Sequence, residues 1–260
     1  MSIKIFVGTP ANNEDLESQA VLDWTLHKYA SAPLEIVWMK LSRDPSSFWY
    51  SDWRNGKGWI TKGWATPFSP FRWAIPEYCG FEGRAIYLDV DMWLMDDITK
   101  LWDIPFRSGV FAIAKNERTF CCTLFDCAKG RHFLPPVSRL RSEIGLYRTV
   151  RKKTFTPTTV QSFLPWGNWN CLDGEDYNDL HDPDIKLIHC TSIPSQPQLK
   201  YALPRLAAAG QKHWYTLNPP RPHLRADIPA MFDELLVEAI ANGYKPANYA
   251  TAEVFGDYGR

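Results

Sequence analysis

Two aspartates one residue apart end an apolar run, Arg84-Ala85-Ile86-Tyr87-Leu88-Asp89-Val90-Asp91. The run reads as a buried strand whose last side chains leave the sheet as carboxylates. Residues i and i+2 of a strand point the same way, so Asp89 and Asp91 present two negative groups to one spot while Val90 faces the other side. Two converging carboxylates seat a hard divalent cation and leave positions open for phosphate oxygens. A second Asp-x-Asp, Asp182-Pro183-Asp184, has no apolar strand feeding it and reads as a surface turn. His189 ends another apolar run, Ile185-Lys186-Leu187-Ile188-His189-Cys190. Two carboxylates and one imidazole form an oxygen-rich set with one borderline nitrogen, which suits Mn²⁺ or Mg²⁺.

These residues need a sheet to bring them together. Residues 3–8 are a short β-type run, 14–30 a helix with Asn13 as its expected N-cap, and 34–39 a second strand. Strand, helix, strand within forty residues predicts a βαβ unit and a parallel sheet, with ligands at the carboxyl edge of its strands. Residues 41–69 lack a clear period and read as a long irregular insertion. Residues 70–79 look helical, and 85–88 form the strand that leads to Asp89. Residues 97–102 make a short helix or turn, 110–114 and 120–125 further strands, and 136–145 a helix. Residues 154–184 are loop-rich, 199–209 a short helix, and 227–242 a final amphipathic helix. The expected class is α/β, a single domain with a Rossmann-like, mostly parallel mixed sheet flanked by helices. Residues 1–215 would carry it, and 216–260 would be a helical extension packed on it.

Composition excludes some classes. The formal net charge is zero, which argues against an electrostatic nucleic-acid binder. No apolar stretch approaches the length of a membrane span. The six cysteines show no C-x-x-C pair, so free thiols in a reducing, cytoplasmic compartment are expected. Twelve tryptophans fill a core or offer flat faces to sugars or bases. Arg139, Arg141, Arg148, Arg151, Lys152 and Lys153 form a basic stretch opposed by Glu143 alone. It is a solvated face, or a patch that meets phosphates of an acidic acceptor or of the inner membrane surface.

The run Phe68-Ser69-Pro70-Phe71-Arg72-Trp73-Ala74-Ile75-Pro76-Glu77, then Gly83 to Asp91, then Asp97-Ile98-Thr99-Lys100-Leu101-Trp102 resembles the core of the family 8 retaining glycosyltransferases. These are the glycogenin-like and bacterial lipooligosaccharide galactosyltransferase-like enzymes. The resemblance extends more loosely from Ile3 to about Trp214. It implies the GT-A fold, a UDP-sugar donor, Mn²⁺ on Asp89, Asp91 and His189, and transfer of a hexose to a hydroxyl acceptor such as a glycan or an acidic glycolipid. It implies that Gly8, Thr9, Asn12 and Asn13 hold uridine, and that Arg72 (Arg84 being the other choice) approaches the donor's phosphate or sugar. Asp173 is the first choice and Glu175 the second for contact with the donor sugar at the catalytic centre.

The chain departs from the family pattern in two places: the family's Asp-Gln-Asp type segment near the donor sugar is matched imperfectly by Leu172-Asp173-Gly174-Glu175-Asp176, and its lysine is missing. The family's diphosphate-binding lysine falls at Ser195, followed by Gln196; Lys200 or Arg205 would replace it, or the phosphate is held otherwise, and the resemblance implies Gln196 and Lys200 at the nucleotide sugar. The two departures keep a second class open, a noncatalytic nucleotide- or glycan-binding protein on the same scaffold. A nucleotidyltransferase is disfavoured, because Gly8-Thr9-Pro10-Ala11 is not a Gly-rich phosphate loop.

Overall fold

A computed structural model describes residues 2–215 and 219–259. In chain order the elements are β1 (Ile3–Gly8), α1 (Leu16–Tyr29), β2 (Leu34–Met39), β3 (Ser51–Asp52), β4 (Lys57–Gly58), α2 (Ile75–Tyr78), β5 (Arg84–Asp89), β6 (Met92–Leu94), α3 (Thr99–Trp102), β7 (Ala112–Ala114), β8 (Cys122–Asp126), α4 (Cys127–Phe133), α5 (Val137–Ser142), α6 (Leu146–Lys153), β9 (Val160–Ser162), β10 (Cys171–Leu172), β11 (Leu187–His189), α7 (Leu199–Ala208) and α8 (Asp227–Ala241).

The main sheet has the order β2-β1-β5-β8-β7-β9. β1 pairs in parallel with both β2 and β5, and its last residue, Gly8, lies beside Asp89. Only β8 runs against the others, so the sheet is mixed and mostly parallel, as expected. β1 and β5 are buried along nearly their whole length, which is why both read as unbroken apolar runs. A second sheet has the order β10-β11-β6 and sets His189 opposite Met92.

Several boundaries differ from the sequence reading. Helix α1 starts at Leu16 after Asp15. Asn13 is no cap; its φ of 61° lies in the left-handed region, which asparagine tolerates better than most residues. Residues 70–79 split into a 3₁₀ turn, Phe71–Ala74, and α2. Pro76 falls in the first turn of α2, where its missing N–H costs nothing. Residues 41–69 hold the β3–β4 hairpin and an aromatic cluster. Trp59 lies edge-on to Phe71 at 5.0 Å and to Trp64 at 5.9 Å, and Trp49 lies 4.6 Å from Phe71. Those three tryptophans are core. Two of the basic residues tie this insertion down: Arg141 donates to the Phe48 carbonyl at 2.6 Å and Arg148 to that of Gly63 at 2.7 Å.

Helix α8 packs on α1 and Trp93 through Ile228, Phe232, Leu235 and Leu236. The expected division after residue 215 falls at 216–218, outside the described residues. Among those described, no helix is long and apolar enough to cross a membrane.

Gly8 shows how tightly the carboxyl edge is built. A Cβ there would stand 2.6 Å from the Phe68 ring and 2.8 Å from the Tyr87 hydroxyl. Gly8→Ala should therefore destabilise the protein by about 1–3 kcal/mol, the usual cost of overpacking. Denaturant unfolding measures it.

Candidate metal and nucleotide site

Strand β5 delivers Asp89 to the carboxyl edge of the sheet, and Asp91 follows in the turn to β6. The β6–β11 pairing carries His189 to the same place, where the Cys190 N–H donates to the Asp91 carbonyl at 3.0 Å. As a result Asp91 Oδ1 stands 3.3 Å from His189 Nε2. That carboxylate oxygen is buried and has no hydrogen-bond partner among the described residues. Asp91 Oδ2 accepts from Gln196 Nε2 at 2.5 Å. An orphaned buried carboxylate oxygen is costly unless something charged meets it. Burial raises the Asp91 pKa, with His189 opposing. For His189, burial works against the imidazolium, but the charge and hydrogen bond of Asp91, with Asp89 and Asp173 adding to them, together outweigh it and the pKa is raised.

The other ring nitrogen shows how the imidazole is prepared. His189 Nδ1 lies 2.9 Å from Asn170 Oδ1, both residues being buried. An amide oxygen only accepts, so Nδ1 carries a proton, and in the neutral ring Nε2 keeps its lone pair toward the carboxylates. A histidine held this way by its outer nitrogen is the usual arrangement of a metal ligand. Sequence reasoning missed Asn170, since a lone asparagine in a loop carries no signal. Asn170→Leu should lower Mn²⁺ affinity about 10–100-fold, the usual cost of losing such a partner, with little change in unfolding temperature. Calorimetric titration with MnCl₂ checks it.

Asp89 sits in a different environment. Arg72 Nη2 donates to Asp89 Oδ1 at 3.0 Å, and the Tyr87 hydroxyl donates to the same oxygen. The guanidinium lies over the Tyr87 ring, 4.4 Å from its centre. Burial works against the Arg72 charge, but Asp89, with Tyr87 and Cys121 adding to it, more than offsets it and the pKa is raised. Arg72 thus serves the Asp89 carboxylate. Cys121 also reaches this spot: Asp89, Cys121 and His189 each place one ligand atom within 4.8 Å of the others. Burial, and then the nearby Asp89, push the Cys121 thiol well above its ordinary pKa. Asp91 stands 3.3 Å from His189 but outside this mutual set, so the structure brings each aspartate to the histidine without gathering all three as closely as the Asp89, Cys121 and His189 atoms. By chemistry, carboxylates suit a hard cation such as Mn²⁺ or Mg²⁺ and a thiol a softer one.

The remaining sequence candidates divide. Asp173, in the left-handed region with φ 50°, takes the His189 carbonyl on its N–H at 2.9 Å. Its carboxylate lies 3.3 Å from His223 Nε2 and accepts from the Thr191 hydroxyl. It therefore borders the aspartate–histidine cluster. Glu175 turns to Lys115 and the Leu172 N–H. Gly8 and Thr9 lie beside Asp89 at the end of β1, and the Thr9 hydroxyl is buried and without a partner among the described residues. The Asn12 and Asn13 amides are bonded to the backbone of Gly256 and Thr251. Lys200 pairs with Asp233 of α8, and Arg205 with Glu17. Among the candidates for the family's lysine position, only Gln196 touches the aspartates.

The fold that carries these residues is similar to that of the GT-A glycosyltransferase structures. An active-site mutant of LgtC has a TM-score of 0.57 at 12% identity, covering 91% of this chain and 96% of that one. The galactosyltransferase LgtC in complex with donor and acceptor sugar analogs gives 0.56 with the same identity and coverage. The glycosyltransferase GlyE of Streptococcus pneumoniae TIGR4 gives 0.52 at 14% identity, covering 97% of this chain and 66% of that one. No protein-family model matches the chain, and no curated protein matches it in sequence. At these identities the likeness is one of fold.

Proposed function

We propose that this chain is a divalent-metal-dependent retaining glycosyltransferase that moves a hexose from a UDP-sugar to a hydroxyl of a glycan or glycolipid. One observation carries the reading: the orphaned Asp91 Oδ1, buried 3.3 Å from His189 Nε2 at the edge where Asp89 also ends. Asp89, Asp91 and His189 would hold Mn²⁺ or Mg²⁺. Such a cation neutralises charge developing on a departing diphosphate. Asn170 fixes the imidazole, Gln196 fixes Asp91, and Arg72 fixes Asp89. All three ligands would then be set before the donor arrives, and little reorganisation would accompany bond cleavage. Asp173, whose N–H donates to the His189 carbonyl, would meet a donor-sugar hydroxyl. The acceptor hydroxyl would attack from the face the diphosphate leaves. The test is transfer from UDP-glucose and UDP-galactose with MnCl₂ across a panel of sugar acceptors, with the anomeric product read by NMR.

The engagement of Lys200 by Asp233 favours a second reading, a nucleotide- or glycan-binding protein without turnover. Tight Mn²⁺-dependent UDP binding with no transfer to any acceptor, and no donor hydrolysis, would select it.

A further inference from the structure

A cavity of about 750 Å³ opens beside the first βα loop, lined among others by Asn12, Trp64, His213, Trp214, Gly256 and Tyr258. One of its walls is made by residues from the far end of the sequence. Asn12 Nδ2 donates to the Gly256 carbonyl at 2.7 Å and Asn12 Oδ1 accepts the Gly256 N–H at 2.8 Å. Asn13 makes the same reciprocal pair with Thr251, at 3.0 and 2.8 Å. The Ala11 N–H donates to the Tyr258 hydroxyl at 2.9 Å, and that hydroxyl donates to the Glu14 carboxyl at 2.8 Å. Phe255 and Tyr258 are buried, their rings stacked 5.7 Å apart. Four consecutive loop residues, 11–14, are therefore committed to this segment.

We infer that residues 251–258 are a built-in wall of the nucleotide subsite, latched by Tyr258, and that the cavity behind them receives the nucleoside of the donor. The inference rests on the donor reading above. A segment that plugged the subsite would fill it, whereas here an open cavity remains with the segment docked. Trp214, half-buried in its lining, brings one indole to the cavity, and stacking on an aromatic face contributes about 1–3 kcal/mol per base. Position also fits. Gly8 lies beside Asp89, and four residues of chain reach at most about 14 Å from there to Asn12. A nucleoside diphosphate anchored at the aspartates can span that gap. A hydrogen-bonded path joins the two places: Asp91 to Gln196, Gln196 to Gln198 at 2.9 Å, and Gln198 to Asp15 at 3.4 Å. Asp15 in turn stands 3.6 Å from the cavity-lining His213. Asn12 and Asn13 become positioning residues that hold the wall.

Calorimetry with uridine alone, and with UDP plus MnCl₂, tests this on the intact chain, on Tyr258→Phe and on a chain lacking residues 251–260. The intact chain should bind both ligands. Tyr258→Phe should weaken both several-fold and the truncation at least tenfold, while affinity for Mn²⁺ alone stays unchanged. Hydrogen exchange across 251–258 should slow when uridine is added. Unchanged or tighter nucleotide binding in the variants overturns the inference and leaves the donor reading standing. An intact chain that binds Mn²⁺ but neither uridine nor UDP overturns both. Should the truncated chain fail to fold, Tyr258→Phe and the exchange measurement decide.

Discussion

His189→Ala and Asp91→Asn should each abolish Mn²⁺-dependent transfer while leaving the fold intact. Asp91 follows the end of β5 and His189 ends β11, both at the carboxyl edge of their strands. Losing a direct ligand should cost more than the roughly 10–100-fold that losing an outer partner costs. Asp91→Asn is the cleaner variant, since it preserves shape and removes the charge. It should also raise the unfolding temperature of the metal-free protein, because a buried carboxylate oxygen with no partner is exchanged for a neutral group. A stability gain paired with lost Mn²⁺ binding is a signature that a merely structural carboxylate would not give. Cys121→Ser should retain Mn²⁺ affinity, separating the aspartate–histidine set from the alternative that includes the thiol. Equal metal binding and activity in wild type, Asp91→Asn and His189→Ala would remove the metal assignment.

Arg72→Met should lower stability by about 3–5 kcal/mol, the penalty for breaking a buried ion pair and stranding one charge. Arg72 and Asp89 are both buried and 3.0 Å apart. Methionine retains much of the side chain's volume, so the loss reports on the charge left on Asp89 and less on packing. The Tyr87 hydroxyl still donates to that carboxylate, which keeps the site from collapsing. Millimolar MnCl₂ should restore part of the loss in Arg72→Met, because a cation against Asp89 supplies the missing positive charge. Denaturant unfolding with and without MnCl₂ measures both effects. A loss below about 1 kcal/mol would mean that the pair behaves like a solvated surface bridge.

The strands that matter most were legible for one reason. β1, β5 and β11 are apolar runs at the centre of a mostly parallel sheet or of its small companion, and burial on both faces leaves an unbroken hydrophobic signal; β2, at the sheet edge and half-buried, still reads as a short apolar run. The meeting of His189 with the aspartates was legible because each lies at the end of such a run. Cys121 was not. It stands just before β8, the one strand that runs backward, and only that reversal brings the start of a strand to the edge where Asp89 ends. Helices α4 and α6 escaped notice because they are short, and α6 read only as charge. The tryptophans of residues 41–69 gave no period because they pack around a hairpin and a 3₁₀ turn. The bonds of Asn12 to Gly256 and of Asn13 to Thr251 cross 244 and 238 residues of sequence, a distance over which local pattern carries no information.

One carboxyl beneath that crossing makes the protein sensitive to acidity. Burial, with Asp15 adding to it and Tyr258, Asn12 and His213 opposing, raises Glu14 from 4.5 to about 7. When the far segment lifts, Glu14 meets water and regains its ordinary affinity for protons. Below about pH 4.5 both states hold the proton and closure is at its strongest. Between about 4.5 and 7 the lifted state ionises first, so closure weakens as pH rises, by a total on the order of 3 kcal/mol. Above about pH 7 the dependence ends. Protease cutting within residues 251–258 should accordingly quicken from pH 5 to pH 7 and then level off, and Glu14→Gln should flatten the profile.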